Sequence, residues 1–268
     1  MIQQKVDNLR SILQDLGSTA IAFSGGADSS FLLHLALNEL GPDNCLAVCA
    51  NSVVFTSREL KRAESFCADR GIPLQIIEHD VLAIDRFREN SAERCYLCKK
   101  SLMEQISVIA AQCGQNQVIE GSVTDDLEDY RPGRRALVEC NVRSPLLEAG
   151  LSKADINELA QEMGLVLADQ KPESCLATRF ASGQTLTPAG LRRVELAEQA
   201  LHDLGFQLLR VRVHGTLARL ECDDIGMSLL YDSGLRQTVH DLLVSLGFAQ
   251  VAVDLAGYQR GSMNARVT

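Results

Sequence analysis

The stretch Thr19-Ala20-Ile21-Ala22-Phe23 runs directly into Ser24-Gly25-Gly26-Ala27-Asp28-Ser29-Ser30, and this junction decides the fold. The first five residues are mostly apolar and predict a buried strand. Apolar residues then recur at helical spacing from Phe31 to Leu40, and Gly41-Pro42 ends the predicted helix. A strand, a glycine turn and a helix in this order are typical of a parallel α/β sheet that binds its ligand at the carboxyl ends of the strands.

The glycine turn predicts a phosphate site for physical reasons. Gly25 and Gly26 permit backbone angles and a close approach that a β-carbon would block. The amides at the start of the following helix favour an anion, as does the helix dipole. Asp28 is expected to hold Mg²⁺ or a ribose. Three serines add hydroxyl donors, namely Ser24, Ser29 and Ser30. The Walker A pattern is not present here, and a tight turn without a ligand is the alternative interpretation.

Beyond the turn, short apolar strands alternate with helical patterns through the first half of the chain. Strands are predicted at Cys45–Ala50, Leu74–Glu78 and Gln117–Glu120, with helices between them. From Thr187 the order changes to helix, strand, strand, helix, strand, which predicts a small separate α+β domain. The expected fold is therefore α/β, with a parallel-sheet domain at residues 1–185 and an α+β domain at residues 186–268.

Composition and charge limit the classes of function. The 268 residues carry 35 acidic and 26 basic side chains, a formal net charge of −9. Proteins that bind nucleic acid usually carry a basic excess, so nucleic acid is not an expected partner. The apolar runs are too short to cross a bilayer, and the first residues have no signal-peptide core. These features predict a cytoplasmic protein without a membrane partner, whose nine cysteines form no disulfide framework.

Three of the cysteines are candidates for chemistry. Cys95 and Cys98 form a C-x-x-C pair at the start of a predicted helix, and Cys175 lies in a loop far along the chain. The pair alone indicates little, because zinc sites need four ligands and redox dithiols share this spacing. Three thiolates suit a [4Fe–4S] cluster that keeps one iron open to another ligand. The alternative is two ordinary helix-start residues and a buried loop cysteine.

Two sets of charged residues complete the candidate site. Asp125 and Asp126 follow the fourth predicted strand, where carboxylates can hold the Mg²⁺ that bridges nucleotide phosphates. A solvated turn is the alternative for these two residues. A clamp for a substrate phosphate is predicted from three arginines, because guanidinium groups bind such anions bidentately: Arg179, Arg210 and Arg212. The last two alternate along a strand and share one face, and Glu195 on the preceding helix is expected to orient them.

These motifs resemble those of the PP-loop family of ATP pyrophosphatases, which have a Rossmann-like fold, and within it the LarE sulfur transferases of nickel-pincer nucleotide synthesis. Beyond the glycine turn, the resemblance covers nearly the whole chain through Arg94-Cys95-Tyr96-Leu97-Cys98-Lys99, Asp125-Asp126 with Asp129-Tyr130-Arg131-Pro132-Gly133, Ser144-Pro145-Leu146, Lys171-Pro172 with Cys175-Leu176-Ala177-Thr178-Arg179, Val211-Arg212-Val213-His214-Gly215, and Gly257-Tyr258 with Gly261-Ser262-Met263-Asn264. Two segments depart from the family pattern. Gly121-Ser122-Val123 stands where Gly-Thr-Asn is usual, and Ala181-Ser182-Gly183 stands where Pro-Tyr-Gly is common.

The resemblance implies an enzyme that splits ATP to AMP and pyrophosphate with Mg²⁺. Its implied substrate is a small nucleotide, pyridinium-3,5-biscarboxylic acid mononucleotide, whose two carboxylates become thiocarboxylates. LarE-like proteins occur in two kinds. One gives up the sulfur of a single cysteine at the position of Cys175, and the other uses three cysteines and a cluster. Because Cys95, Cys98 and Cys175 are all present, we expect the [4Fe–4S] version. The sulfur source is left open, and the resemblance suggests a homotrimer or homohexamer.

Three other functions are compatible with a glycine turn of this kind. A tRNA thiolase is disfavoured by the net charge of −9 and by the lack of a recognisable RNA-binding motif. An amide-forming ligase of the NAD-synthase or GMP-synthase type would not need the three cysteines. A non-catalytic nucleotide or iron–sulfur module is disfavoured by the intact glycine turn.

Overall fold

The structure is a computed structural model and describes residues 2–127, 133–165 and 174–259. In these ranges the α-helices are α1 (Ile2–Leu16), α2 (Ala27–Leu40), α3 (Ser57–Ala68), α4 (Asp85–Arg88), α5 (Arg94–Gln112), α6 (Gly133–Glu139), α7 (Pro145–Glu148), α8 (Lys153–Glu162), α9 (Pro188–Asp203), α10 (Asp224–Leu229) and α11 (Ser233–Ser245). The strands are β1 (Thr19–Ala22), β2 (Cys45–Asn51), β3 (Leu74–Glu78), β4 (Gln117–Ile119), β5 (Leu209–His214), β6 (Leu217–Cys222) and β7 (Gln250–Val253).

The described residues form two compact units by their contacts. The first comprises residues 2–81, 93–127 and 133–165, and the second comprises residues 82–92 and 174–259. A chain segment that lies between β3 and α5 therefore groups with the C-terminal strands. The expected domain division at residue 185 stays a prediction.

The first unit contains a four-stranded parallel sheet in the order β3-β2-β1-β4. Thr19 at the start of β1 pairs with Cys45 on one side and with Gln117 on the other. Parallel strands need crossover connections, which the helices supply. The predicted α/β fold with a parallel sheet is confirmed, and the glycine turn follows central strand β1 at the carboxyl edge.

Helices cover both faces of this sheet, which explains why its strands read as apolar runs. One face packs against α1, α2, α3 and α8, with Phe31, Leu9 and Ile156 fully buried in that core. The opposite face packs against α5 and α6, with Met103 and Ile106 buried. Burial on two sides makes this sheet a rigid platform for the turn at its edge.

Two helices in the first unit begin with reciprocal capping boxes. Thr56 and Glu59 form one at the start of α3, and Ser152 and Asp155 form the other at the start of α8. The sequence predicts only an approximate box at Ser152, because Asp155 stands where Glu or Gln is usual. The aspartate reaches nonetheless, with its Oδ2 accepting from the Ser152 amide at 2.8 Å.

The second unit is an α+β arrangement around the sheet β5-β6-β7. Strands β5 and β6 are antiparallel, with Arg210 opposite Glu221, whereas β6 and β7 are parallel. The predicted helix and strand order lacks α10. Asp223 caps this helix by accepting from the amide of Gly226 at 2.9 Å. A β-carbon on Gly226 would lie 2.7 Å from the Cβ of Cys222, so only glycine permits this packing.

Of the helices in the described ranges, none combines the length and the apolar character that spanning a membrane requires.

Candidate functional site

Two glycines in different conformations build the glycine turn. Gly25 has a φ of +71°, and a β-carbon there would lie 2.9 Å from the backbone nitrogen of Ala63. Gly26, the N-cap of α2, has a φ of −79° and a ψ of 165°. A β-carbon on Gly26 would lie 3.4 Å from Ser24 Oγ. The fold therefore requires glycine at Gly25. An alanine at Gly26 would be compatible with the fold and would obstruct only a ligand that binds at the turn.

The serines of the turn form a small hydrogen-bonded set. Ser24 Oγ and Ser29 Oγ lie 3.1 Å apart, and Ser29 Oγ donates to the carbonyl of Gly26 at 3.1 Å. Ser30 is buried, and its amide donates to the same carbonyl at 2.9 Å. Ser24 is exposed, and Asp28 is half-buried in the first turn of α2. The exposed hydroxyl at the positive end of a helix suits an anion.

Strand β4 ends against the glycine turn. A β-carbon on Gly121 would lie 3.1 Å from the amide nitrogen of Ser29, so the two chain segments are in direct backbone contact. Glu120 just before it is buried, and its carboxylate receives Lys99 Nζ at 3.2 Å, the Ser122 amide at 3.0 Å and Ser144 Oγ at 2.5 Å. Burial alone would raise the pKa of Glu120, but Lys99 and the hydrogen bonds hold that pKa below its usual range.

The sequence analysis did not single out Glu120 or Lys99 for this site. The signal was available, because Glu120 is a charged residue at a strand position where the alternation predicts burial. A carboxylate in such a position needs a cation or several donors.

The two predicted Mg²⁺ ligands serve local structure. The Oδ2 of exposed Asp125 accepts from the amide of Lys153 at 2.9 Å, which ties this turn to the start of α8. The Oδ2 of buried Asp126 accepts from the amide of Val123 at 3.2 Å. These contacts use one oxygen of each carboxylate, and a Mg²⁺ role for either aspartate stays a prediction. Asp129, part of the same predicted cluster, lies outside the described residues.

Cys95 and Cys98 lie in the first turns of α5, one exposed and one half-buried. Between them Tyr96 stacks under the guanidinium of Arg135, whose Cζ lies 3.6 Å from the ring centroid. The Tyr96 hydroxyl donates to Glu139 Oε2 at 2.7 Å. Both partners belong to α6, so this aromatic contact fixes the cysteine-bearing end of α5 against its neighbour.

In the second unit, Cys175 is the N-cap residue of a 3₁₀ turn at Leu176–Arg179. The buried guanidinium of Arg179 holds this turn in place. Its Nη1 donates to the carbonyl of Ser174 at 2.8 Å and to the carbonyl of Cys175 at 3.2 Å. Arg179 therefore positions the backbone of the candidate sulfur donor. Its predicted role as a phosphate ligand stays a prediction that these contacts do not favour.

Glu198 on α9 is the acidic partner of Arg179. Glu198 is buried and receives Arg179 Nε at 2.9 Å and Nη2 at 2.8 Å, a bidentate pair. Its Oε1 also accepts from the amide of Val211 at 2.9 Å. Glu195 instead accepts from Arg192, whose side chain is 57% exposed. The side chain of Glu195 is 14% exposed, and its expected role in orienting the arginines stays a prediction.

Burial by itself would raise the pKa of Glu198. The guanidinium groups of Arg179 and Arg210 outweigh that effect and hold its pKa below the usual range. The helical spacing of α9 carried this signal, because Glu198 shares a face with three buried residues: Leu191, Val194 and Leu201.

Arg210 and Arg212 are both buried and share one face of β5, as their alternation predicts. Arg212 donates to Glu221 through Nε at 2.9 Å and to the carbonyl of Thr178 through Nη1 at 3.0 Å. The Cζ of Arg210 lies 5.3 Å from the ring centroid of Tyr258. Burial, together with the charge of Arg179, lowers the pKa of Arg210. Arg179 pairs with Glu198, and Arg212 and Arg219 share the buried carboxylate of Glu221, so these arginines lie among buried carboxylates; the phosphate clamp of Arg179, Arg210 and Arg212 stays a prediction.

Comparison with known proteins identifies the family to which this chain belongs. The family model described as NAD synthase matches residues 1–105, which include the glycine turn. The pyridinium-3,5-bisthiocarboxylic acid mononucleotide synthase of Lactiplantibacillus plantarum is 38% identical over 98% of this chain and 95% of its own length. This chain belongs to the LarE family of ATP-dependent sulfur transferases.

Two further relatives match over most of their length. An uncharacterized protein of Synechocystis sp. is 35% identical over the whole of both chains. An uncharacterized protein of Methanocaldococcus jannaschii is 29% identical over 89% of this chain and 90% of its own. Membership of the LarE family makes the chain an enzyme, and the ATP-dependent activity agrees with a glycine turn at the carboxyl edge of a parallel sheet.

Two motifs of the LarE family lie outside the residues that the structure describes. Lys171-Pro172 and Gly261-Ser262-Met263-Asn264 fall outside the described residues. Gly121-Ser122-Val123 differs from the Gly-Thr-Asn that is usual in the family. Val123 is fully buried in the core that contains α2. Its amide is used by Asp126, so this position contributes packing.

The expected [4Fe–4S] cluster needs a group of at least three thiolates. Within the described residues, no three His, Cys, Asp or Glu side chains are grouped to hold a metal ion. Cys95 and Cys98 form a pair on α5, which is one thiolate short of that requirement. Cys175 belongs to the second unit, and the cluster of Cys95, Cys98 and Cys175 stays a prediction.

Proposed function

We propose that this chain uses ATP to convert the carboxylates of pyridinium-3,5-biscarboxylic acid mononucleotide into thiocarboxylates. The observation that carries this proposal is a relative whose name states the bisthiocarboxylic acid product and which matches almost the whole chain at 38% identity. The glycine turn accounts for ATP, and guanidinium groups such as those of Arg210 and Arg212 can bind the phosphate of a nucleotide substrate bidentately.

The first step activates a substrate carboxylate. One carboxylate oxygen attacks the α-phosphorus of ATP, the bond from that phosphorus to the α–β bridging oxygen breaks, and pyrophosphate leaves. A bound Mg²⁺ would neutralise charge on the phosphates. The amides at the start of α2 and the hydroxyls of Ser24 and Ser29 stabilise the charge on the phosphates. Little proton transfer is needed, so positioning and electrostatics provide most of the acceleration.

The second step delivers sulfur. A thiolate or sulfide attacks the acyl carbon of the adenylate, and AMP leaves as the carbon–sulfur bond forms. If the nucleophile is the Cys175 thiolate, the thioester then releases the thiocarboxylate by loss of the Cα proton, and dehydroalanine is left. Arg179 and Glu198 position the backbone of Cys175 for this attack. The version in which Cys95, Cys98 and Cys175 hold a [4Fe–4S] cluster stays a prediction.

The test starts from protein purified without oxygen. Iron and sulfide are measured first, and AMP release is then followed with the pyridinium substrate and with bulk tRNA. Release driven by tRNA alone would contradict the proposal in favour of a tRNA thiolase. Dehydroalanine at Cys175 after turnover, found by mass spectrometry, would establish the sacrificial route, whereas stoichiometric iron and an unmodified Cys175 would establish the cluster.

Cysteine variants separate the roles of the thiols. Cys175→Ser is expected to abolish thiocarboxylate formation while leaving pyrophosphate release in place. Cys95→Ser and Cys98→Ser are compared with Cys113→Ser, a matched control at the exposed C-cap of the same helix. Loss of product in the first two and not in the control would assign α5 to sulfur delivery.

The assembly is a separate proposal. By resemblance to the family we expect a homotrimer or homohexamer, and light scattering on the purified protein measures it directly. A monomeric mass at working concentration would exclude both.

A further inference from the structure

A chain segment between β3 and α5 lies along the loop that follows the 3₁₀ turn capped by Cys175. Both belong to the second unit, which comprises residues 82–92 and 174–259 in the described part of the chain. The amide of Leu186 donates to the carbonyl of Arg88 at 2.7 Å, and the amide of Gly183 donates to the carbonyl of Asn90 at 3.2 Å. Backbone hydrogen bonds therefore join two segments that are far apart in sequence.

The side chain of Asn90 strengthens this contact. It is fully buried, and its Nδ2 donates to the carbonyl of Phe180 at 3.2 Å and to the carbonyl of Ala181 at 2.8 Å. These two carbonyls directly follow Arg179, the last residue of the turn that Cys175 caps. The amide group thus uses both of its protons on the residues after the turn. Asn90 fixes the downstream end of this turn, whereas Arg179 holds its start.

The conformation of Asn90 is unfavourable in two respects. Its φ is +54°, in a left-handed region that few residues other than glycine, asparagine and aspartate adopt. Its buried Oδ1 accepts no hydrogen bond from the described residues, although buried acceptors are nearly always paired. Residues held in such conformations cluster at functional sites, where the surrounding structure maintains them for the geometry they provide.

Along the chain, Asn90 lies close to one cysteine-bearing segment and is bonded to the other. Only Ser91-Ala92-Glu93 separates it from α5, in whose first turn Cys95 lies. Its hydrogen bond to Phe180 acts five residues after Cys175. Because the peptide chain connects it to the first segment and hydrogen bonds connect it to the second, Asn90 limits the movement of the turn that presents Cys175.

We propose that Asn90 is a positioning residue for sulfur transfer, which holds the turn of Cys175 through the carbonyls of Phe180 and Ala181. It acts through the backbone of the turn and not on the reacting atoms. This inference rests on the proposed role of Cys175 in sulfur delivery. The carboxylate is activated at the glycine turn, which belongs to the first unit. The two half-reactions should therefore respond differently when the asparagine amide is removed.

The test compares Asn90→Gly with Asn141→Gly, a matched control at an exposed residue with a φ of +52°. Glycine tolerates both backbone angles, so only the side chains are removed. We expect Asn90→Gly to keep ATP–pyrophosphate exchange with the pyridinium substrate and to lower thiocarboxylate formation about tenfold, the equivalent of one hydrogen bond. Asn141→Gly should change neither. Wild-type product formation in Asn90→Gly, or an equal fall in both half-reactions, would overturn the inference.

Asn90→Asp is a second variant that keeps the shape of the side chain and tolerates the same φ. A carboxyl group carries at most one proton, so it loses at least one of the bonds to Phe180 and Ala181. Thiocarboxylate formation should fall while ATP–pyrophosphate exchange continues. A wild-type rate of product formation in this variant would also overturn the inference.

A further measurement needs no substrate. Amide hydrogen exchange in the peptide of residues 176–184, followed by mass spectrometry, should be faster in Asn90→Gly than in the wild type, because the end of the turn is released. Exchange as slow as in Asn141→Gly would overturn the inference. Failure of the proposed function looks different, because the wild type would then show no ATP–pyrophosphate exchange with the pyridinium substrate while the difference in amide exchange persisted.

Discussion

Replacing each glycine of the turn by alanine separates the effect on folding stability from the effect on ligand binding. Gly25 has a φ of +71°, where an alanine costs about 1–2 kcal/mol. Its new β-carbon would also lie 2.9 Å from the nitrogen and 3.1 Å from the Cα of Ala63. Both atoms belong to the backbone of α3 and cannot turn away, and such overpacking adds about 1–3 kcal/mol. Gly25→Ala should therefore lower the free energy of unfolding by roughly 2–5 kcal/mol.

Gly26→Ala is the matched control with the opposite outcome. At a φ of −79° alanine is unstrained, and its β-carbon would lie an ordinary 3.4 Å from Ser24 Oγ. The smaller entropy of the unfolded chain adds about 0.4–1 kcal/mol of stability, while the loss of glycine at an N-cap removes a similar amount. We expect an unchanged free energy of unfolding and a large loss of ATP-dependent AMP formation, because the methyl group stands where a phosphate approaches.

The assay is equilibrium unfolding in urea, followed with and without ATP. Gly25→Ala should move the midpoint to lower urea, whereas Gly26→Ala should keep the midpoint and lose the shift that ATP produces. Equal midpoints for the two variants would refute the assignment of strain to Gly25. A fully active Gly26→Ala enzyme would refute the close approach of phosphate at that position.

Two further predictions concern charged pairs. Glu198→Gln leaves the buried guanidinium of Arg179 without its counter-charge and should cost about 3–5 kcal/mol, whereas Asp85→Asn, on an exposed pair with Arg88, should cost about 0–1 kcal/mol; equal shifts of the urea midpoint would contradict this. Lys5 and the Ser152 amide lower the pKa of Asp155 to about 2, below the value of about 3.9 in an unfolded chain. The stability that Asp155 contributes is therefore present above pH 4 and lost as pH falls towards 2, so the difference between wild type and Asp155→Asn should shrink over that range; a constant difference would argue against the ion pair.

Much of the fold follows from local patterns in the sequence. Strand β3 has the predicted bounds, and β2 and β4 each differ from them by one residue, because an apolar run between turn residues marks a buried parallel strand. The predictions are weaker for short helices. Helix α10 has six residues and depends on the contact between Gly226 and Cys222, which no spacing in the sequence reveals.

The site divides in the same way. The glycine turn and the shared face of Arg210 and Arg212 are properties of neighbouring residues, so their positions can be inferred from the sequence. The choice of Glu198 over Glu195 depends on which side of α9 meets Arg179, 19 residues earlier in the chain. The helical spacing places Glu198 on the apolar face of α9, and only the tertiary packing brings Arg179 to it.

The sequence by itself determined that a phosphate-binding turn follows a strand of a parallel sheet, since strand, turn and helix are local and their periods are readable. The sequence also indicated sulfur chemistry, because it contains Cys95, Cys98 and Cys175. Only the tertiary structure decided why Gly25 must be glycine, that Arg179 holds the backbone of Cys175, and that His79 is buried. These depend on atoms brought together from distant parts of the chain, where burial and the pairing of charges set the energy.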